Sequence, residues 1–354
     1  MTSSTFVPDY IRLIENPDIK TVFVTGCGGG FDFIHSMTLH SELLRMGKKV
    51  VFGSFSFGDP SDIKGGKEFW RGTRGESTSS SSPAFEVTAV LCDATCKGSD
   101  HYEPEVGLCS FLDTEFPVNA PHSCYAYSAR SFTVPLLKSL YGKIFTEHEV
   151  DAIVMFDGGS DSLMVGSEAG LGDPIEDAVS IAAAATIDFP RLKERIVIAV
   201  GLGCDRFNQV SDAATLRAIG ELTAVRGFLG CASLHAGTQP HTIYKKCIEH
   251  LQGRANFRSV IANSIVASGE GGSGFNVPEE LRRRIPHGTL YLWPLMCMHW
   301  AFSITAVYNR SLLAPLLLES PSIDEMYTVL RQLRSRLHKE GKLQKVELLP
   351  SPAT

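Results

Sequence analysis

Between Ile144 and Pro190 the chain has no lysine and no arginine, yet that span carries Asp157, Asp161, Glu168, Asp173, Glu176 and Asp177. Where such acids converge they need a cation, a hydroxyl-rich ligand or protons. Other shortages exclude whole classes of protein. With 33 Lys and Arg against 39 Asp and Glu, a formal charge of −6 and a pI near 6.0, the chain lacks the basic excess of a nucleic-acid binder. No run reaches the roughly 18 apolar residues of a membrane span, and the opening MTSSTFVPDY has no basic segment followed by an apolar one. The nine cysteines stand singly, Cys92 and Cys96 being the closest, which is neither a zinc spacing nor a disulfide scaffold. A reduced, cytoplasmic protein without membrane or nucleic-acid partners is the expectation.

At 354 residues and 44% hydrophobic, the chain can bury one large core or two ordinary ones. No Pro/Gly linker divides it after residue 84. It therefore reads as one α/β domain over 1–354, with a polar Gly/Ser-rich insertion at about 58–84 and a flexible C-terminal tail from about 342.

The apolar run Thr21–Thr25, the turn Gly26-Cys27-Gly28-Gly29-Gly30, a helix from Phe31 to Met46 and a strand over Lys49–Phe57 make a βαβ unit. Further strands are predicted at Glu86–Leu91, Ala152–Phe156, Ile196–Val200, Phe228–Leu234, Ser259–Val266 and Leu290–Trp293. Helices are predicted over Ser131–His148, Pro174–Ile187, Ser211–Val225, Thr238–Leu251, Leu295–Tyr308 and Ile323–His338. Asp93 to His122 reads as irregular. Strands ending near 25, 157, 201, 235 and 267 all run into glycine, serine or charged residues. The fold expected is a three-layer Rossmann-like sandwich with a mostly parallel central sheet, its ligand crevice at the carboxyl ends of the strands.

Glycines Gly28, Gly29 and Gly30 would let backbone N–H groups approach an anionic ligand at a helix N-terminus. A dinucleotide fingerprint fits poorly: Phe31 replaces the third small residue, and Asp32 sets a negative charge in the first turn. Nothing in the sequence points to NAD, flavin or haem. The central loop offers Asp157, Gly158, Gly159, Ser160, Asp161 and Glu168; two later strand ends offer Asp205 with Arg206, and Glu270 between glycines. Mg²⁺ suits such carboxylates, because it takes oxygen ligands and usually only one or two carboxylates plus a ligand phosphate. The expected activity is metal-assisted hydrolysis or group transfer on a nucleotide or phosphorylated sugar. In that reading Asp157 and Asp161 bind metal or ribose hydroxyls, Glu168 is the general base and Arg206 neutralises phosphate.

Blander readings stand beside it. Asp157 could cap its turn, Asp173 could cap the helix opened by Pro174, and Glu176 and Asp177 could simply favour that helix N-terminus. A metal-free glycosidase or nucleosidase would use two carboxylates as acid and base, and a small-ligand binding protein would show affinity without turnover. Cys27 at a helix N-terminus would be an activated thiol. The apolar C-terminal helices would serve a homo-oligomer as readily as a core.

The motif GGSDS at Gly158–Ser162 partly matches the ATP-pyrophosphatase loop SGGxDS and the phosphofructokinase loop GGDGS. A wider set of residues carries a closer likeness. Asp157-Gly158-Gly159-Ser160-Asp161-Ser162-Leu163-Met164, Gly166, Glu168, Gly170-Leu171-Gly172, Pro174 and Glu176-Asp177 resemble the central signature of an uncharacterised family, domain of unknown function 1152. Gly28-Gly29-Gly30 with Asp32, Gly227-Phe228-Leu229-Gly230 and Asn263-Ser264-Ile265-Val266 are similar to it as well. The resemblance runs from about Thr21 to Tyr308, and the serines at Ser77–Ser82 depart from it. It implies the fold and the site region without implying a reaction.

Overall fold

In the computed structural model, residues 6–75, 85–98, 104–254, 258–275, 281, 285–286 and 288–344 are described. After a short helix α1 (Asp9–Glu15) come β1 (Thr21–Gly26), α2 (Met37–Arg45), β2 (Lys49–Ser56), β3 (Lys67–Arg74) and β4 (Phe85–Asp93). The middle of the chain supplies α3 (Pro104–Glu115), β5 (Ser123–Ser128), α4 (Val134–His148), β6 (Ala152–Gly158), α5 (Pro174–Thr186) and β7 (Glu194–Val200). It closes with α6 (Asp212–Ala224), β8 (Phe228–Ser233), α7 (Gln239–Arg254), α8 (Val260–Gly269), β9 (Met298–Ser303), α9 (Ile304–Arg310) and α10 (Ile323–Lys339).

The strands form one sheet in the order β3-β4-β5-β2-β1-β6-β7-β9-β8. Its centre, β5-β2-β1-β6-β7, is parallel, and antiparallel pairs extend both edges. Alternation along a strand sends neighbours to opposite faces. In β6, Ile153 and Met155 join a core with α4, α5, α9 and α10, while Ala152, Val154 and Phe156 join one with α2, α3 and α7. Burial on both faces explains why the central strands read as unbroken apolar runs. This is the three-layer Rossmann-like sandwich expected from the sequence. Among the described residues no helix is long and apolar enough to cross a membrane.

Several elements differ from the sequence reading. Ser259–Val266, read as a strand, belongs to α8, whose first turn is capped by the Ser259 hydroxyl accepting from Ala262 N–H at 3.2 Å. A short run that is mostly apolar has too little periodicity to separate helix from strand. Leu295–Tyr308, read as one helix, divides into a 3-10 turn to Cys297, the strand β9 (Met298–Ser303) between β7 and β8, and α9, whose first turn the Ser303 hydroxyl caps. Leu290–Trp293 is not a named strand, although Leu292 makes an isolated bridge with Gly274. Within the 58–84 segment Lys67–Arg74 is the edge strand β3, and within Asp93–His122 Pro104–Glu115 is the helix α3. Residues 76–84, the acids and histidine at Asp100, His101 and Glu103, and the tail from 345 lie outside the described residues. Gln344, assigned to the tail, donates from its backbone to Ser167 O at 2.8 Å.

Candidate functional site

The chain crosses from β1 to β2 on one side and later returns to β6 on the other, so the sheet's switch point lies between β1 and β6. Ligands of open parallel sheets bind in the crevice that such a reversal opens at the carboxyl ends. Here the crevice is lined with acid. Asp32, in the single helical turn after Gly30, accepts from Gly28 N–H at 2.9 Å and from Gly158 N–H at 3.2 Å, so one carboxylate ties the two strand ends together. Asp157, the penultimate residue of β6, accepts from the Ser162 hydroxyl, and Asp177 arrives from the first turn of α5. One oxygen from each of Asp32, Asp157 and Asp177 lies within 4.8 Å of the others.

Around these three stand more carboxyls. Asp161 accepts from Asp173 N–H at 2.9 Å, and Asp205, in the helical turn after β7, accepts from Ser160 N–H at 2.8 Å. Asp157, Asp177 and Asp205 are all at most 5% exposed. Desolvation first, and then mutual repulsion, pushes Asp32, Asp157, Asp177 and Asp205 well above the ordinary carboxylate range. Asp161 is raised to about 6, chiefly by burial. Glu176 is raised to about 8 by burial and by Asp173. Among the described residues, no lysine or arginine is among the largest causes of these six shifts.

The glycines have a role here that the sequence did not suggest. A Cβ at Gly28 would come under 3.0 Å from the carboxylates of Asp177 and Asp32, at Gly158 from Asp32 and His35, at Gly159 from Asp205, and at Gly172 from Asp161. These residues are small because the protein's own acids occupy the adjoining space. The Gly28 N–H is spent on Asp32 and the Gly30 N–H on Phe55 O at 3.2 Å, which leaves those two amides unavailable to an anion. Gly29 instead abuts the Phe57 ring.

Other predicted site residues lie elsewhere. Both Glu168 oxygens accept backbone N–H groups, from Val165 at 3.0 Å and Gly166 at 2.9 Å, so its carboxylate braces the loop and stands outside the three-acid cluster. Arg334 of α10 binds the Glu168 and Ala169 carbonyls and holds that loop from outside. Arg206 is in a buried ion pair with Asp212, 2.7 Å from Nη2 and 2.8 Å from Nε, beside the rings of Tyr291 and Trp293. Glu270 is exposed and pairs with Lys245. Asp173 occupies the N-cap position of α5, but its side chain makes no capping bond. Cys27 is fully buried, and burial together with Asp177 and Asp157 raises its thiol well above the ordinary value, against the activated-thiol reading.

The structure adds three groups that sequence reasoning did not assign. Asp177 Oδ2, Glu176 Oε2 and His35 Nε2 are buried and have no hydrogen-bond partner among the described residues. His35 is fully buried, with Nδ1 on the Tyr244 hydroxyl at 2.7 Å and Nε2 turned toward Gly158. Nothing in the spacing of His35 distinguishes it from a packing residue. For Glu176 and Asp177 the signal was present but ambiguous, since acids in a first helical turn are favourable without any ligand.

A cavity of about 20 Å³ lies against Asp161, Ser162 and Asp177, with Leu171, Pro174 and Ile181 on its apolar side. That volume accommodates one water. The three-acid geometry also fits a hard cation: oxygens of an octahedral Mg²⁺ shell are about 2.9 Å apart when adjacent and about 4.2 Å when opposite, given bonds of about 2.1 Å.

Fold and site together define a Rossmann-like α/β protein with a buried carboxylate cluster at its switch point. The profile of the family described as protein of unknown function (DUF1152) matches residues 136–337, more than half of the chain, and the chain belongs to that family. The matched span includes Asp157, Asp161, Asp177 and Asp205 and begins beyond Asp32. No curated protein and no solved structure matches the chain.

Proposed function

We propose that the protein is a metal-assisted hydrolase or transferase acting on a phosphorylated small molecule, of the nucleotide or sugar-phosphate class, in the crevice above β1 and β6. The observation that carries this reading is Asp177 Oδ2, without a hydrogen-bond partner among the described residues, in a largely buried three-carboxylate cluster that no lysine or arginine among the described residues is paired with. Burying such charge without compensation is strongly unfavourable, and a divalent cation relieves it. Asp32, Asp157 and Asp177 would hold the ion, in place of the Asp157 and Asp161 pair expected from the sequence. The bound ion supplies Lewis acidity at a phosphoryl oxygen.

The chain's own groups divide the remaining work. Asp161, partly buried beside the cavity and poised at about 6, takes a proton from a water admitted to it. Glu176, at about 8 and with one oxygen unpartnered, holds a proton for the leaving group. Leu171, Pro174 and Ile181 exclude bulk water from one side. All nine cysteines are free thiols, which supports a reducing, cytoplasmic setting.

The test is thermal unfolding of wild type, Asp157→Asn and Asp177→Asn with nucleotides and sugar phosphates, each with Mg²⁺, Mn²⁺ or a chelator, followed by assays of phosphate release. Stabilisation of wild type by metal and a phosphorylated compound together, lost in both folded variants, supports the reading. A second reading has its own observation: the unequal acidities of Asp161 and Glu176 suit a base and an acid in glycoside cleavage. Turnover of a nucleoside or glycoside in chelator would establish that reading and sink the first.

A further inference from the structure

The rim of the acid crevice carries groups that the cluster beneath it does not use. Phe57 follows β2 directly and is 40% exposed. Its ring lies on the turn after β1: a Cβ on Gly29 would come 2.2 Å from Phe57 Cε1, while one on the adjacent Gly28 would come 2.5 Å from Asp177 Oδ1. Ring and carboxylate therefore flank successive residues of one turn. An exposed apolar side chain is by itself ordinary; one that rests on the turn beside the cluster offers a surface to whatever enters the crevice.

Next to it stands a cation. In the parallel pair β2 and β5, Ser56 is opposite Ser128, and Ala129 N–H donates to Ser56 O at 2.8 Å, so Phe57 and Arg130 leave neighbouring strand ends. Arg130 is exposed, and its side chain makes no hydrogen bond or ion pair among the described residues. Helix α10 connects this side of the rim to the other: Tyr327, 39% exposed, has Glu176, Asp173 and Arg130 as electrostatic neighbours. Glu176 and Asp173 stand at the start of α5, the helix that brings Asp177 into the cluster.

These groups discriminate between a nucleotide and a sugar phosphate. Either would give its phosphate to a cation or a guanidinium, and a guanidinium suits phosphate oxygens because its N–H donors lie in one plane. Only the nucleotide has a flat π-face to lay on an aromatic ring, and that stacking is strong whichever base is present.

We propose that the ligand of the acid crevice is a nucleotide, its base stacked on Phe57 and a phosphate oxygen bound by Arg130, with the Tyr327 ring bounding the same mouth. The inference rests on the reading of this crevice as a site for phosphorylated molecules, and adds to it a ring that sets specificity and a guanidinium that binds the phosphate. Both side chains are already exposed in the free protein.

The test is calorimetric titration of the full chain with AMP, GMP, CMP and UMP and with ribose 5-phosphate, each in Mg²⁺ and again in chelator. At least one mononucleotide is expected to bind about ten-fold or more tightly than ribose 5-phosphate. Phe57→Ala, a change at an exposed position, is expected to erase that margin and to leave ribose 5-phosphate unaffected. Arg130→Ala is expected to weaken nucleotide and sugar phosphate alike. Ribose 5-phosphate binding as tightly as every mononucleotide would overturn the inference, as would a margin that survives Phe57→Ala, undiminished binding by Arg130→Ala, or no binding of any mononucleotide in either condition. The cation reading fails separately: a nucleotide margin that persists unchanged in chelator and in Asp157→Asn supports the rim and sinks the metal.

Discussion

Asp32 accepts a 3.2 Å hydrogen bond from the backbone N–H of Gly158, a residue 126 positions away in sequence, while its other oxygen accepts from Gly28. One carboxylate thereby fixes the spacing of the β1 and β6 ends and faces Asp157 and Asp177. The acid cluster is built at the ends of two central strands and the start of a helix, on regular elements as a preorganised site requires.

Neutralising one acid of the cluster should stabilise the metal-free protein. Asp157→Asn removes repulsion and the desolvation of a charge at a position 1% exposed, so a gain of about 1–3 kcal/mol over wild type is expected in chelator. With saturating Mg²⁺ the order should invert. Denaturant unfolding under both conditions measures this; a variant less stable than wild type in chelator means that the carboxylate serves as a structural hydrogen-bond acceptor.

Gly28→Ala should be costly for a reason that lies in the acids. The residue does not have a positive φ, so strain comes only from the Cβ meeting Asp177 and Asp32. A loss of about 2–3 kcal/mol is expected. In an Asp177→Ala background the loss should shrink by about 1 kcal/mol, a coupling that a double-mutant cycle reads directly. Additive effects would place the origin of the loss in the backbone.

The pH dependence of metal-free stability has a definite sign. Glu176 is raised from 4.5 to about 8 in the folded state, so the folded form binds the extra proton between those values. Its contribution is complete below 4.5 and is lost as the pH rises through 8. His35 and His299, lowered from 6.5 to about 3 chiefly by burial, act the other way: their contribution is complete above 6.5 and is lost as the pH falls toward 3. Between pH 6.5 and 8, then, unfolding midpoints in chelator should fall. Saturating Mg²⁺ should flatten that slope, because it binds the ionised cluster; equal slopes with and without metal would argue against a cation site.

Asp212→Ala should destabilise strongly, by about 3–5 kcal/mol, because it removes the carboxylate of a buried ion pair from a guanidinium at 2% side-chain exposure. The double change Arg206→Met with Asp212→Leu should recover most of that loss. If Arg206→Met alone abolished response to a phosphorylated ligand without loss of stability, the anion-neutralising role expected from the sequence would be restored to it.

The sequence by itself determined the parallel core and the region of the site. The apolar runs at Thr21–Thr25, Ala152–Phe156 and Ile196–Val200 can only be buried on both faces, and the glycines and acids that follow them mark the carboxyl ends. A local capping signal, Ser211, placed the start of α6 as well. Only the tertiary structure decided which acids meet. Glu168 lies nearer Asp161 in sequence than Asp32 does, yet backbone amides of its own loop hold it apart, whereas Asp32 and Asp177 reach Asp157 because β1, β6 and α5 converge. The assignment of α8 and β9 was equally nonlocal, since a short apolar segment becomes helix or strand according to whether a sheet edge is there to pair with it. Spacing along the chain encodes periodicity and punctuation; the distance between two carboxylates is set by how the strands that carry them are ordered in the sheet.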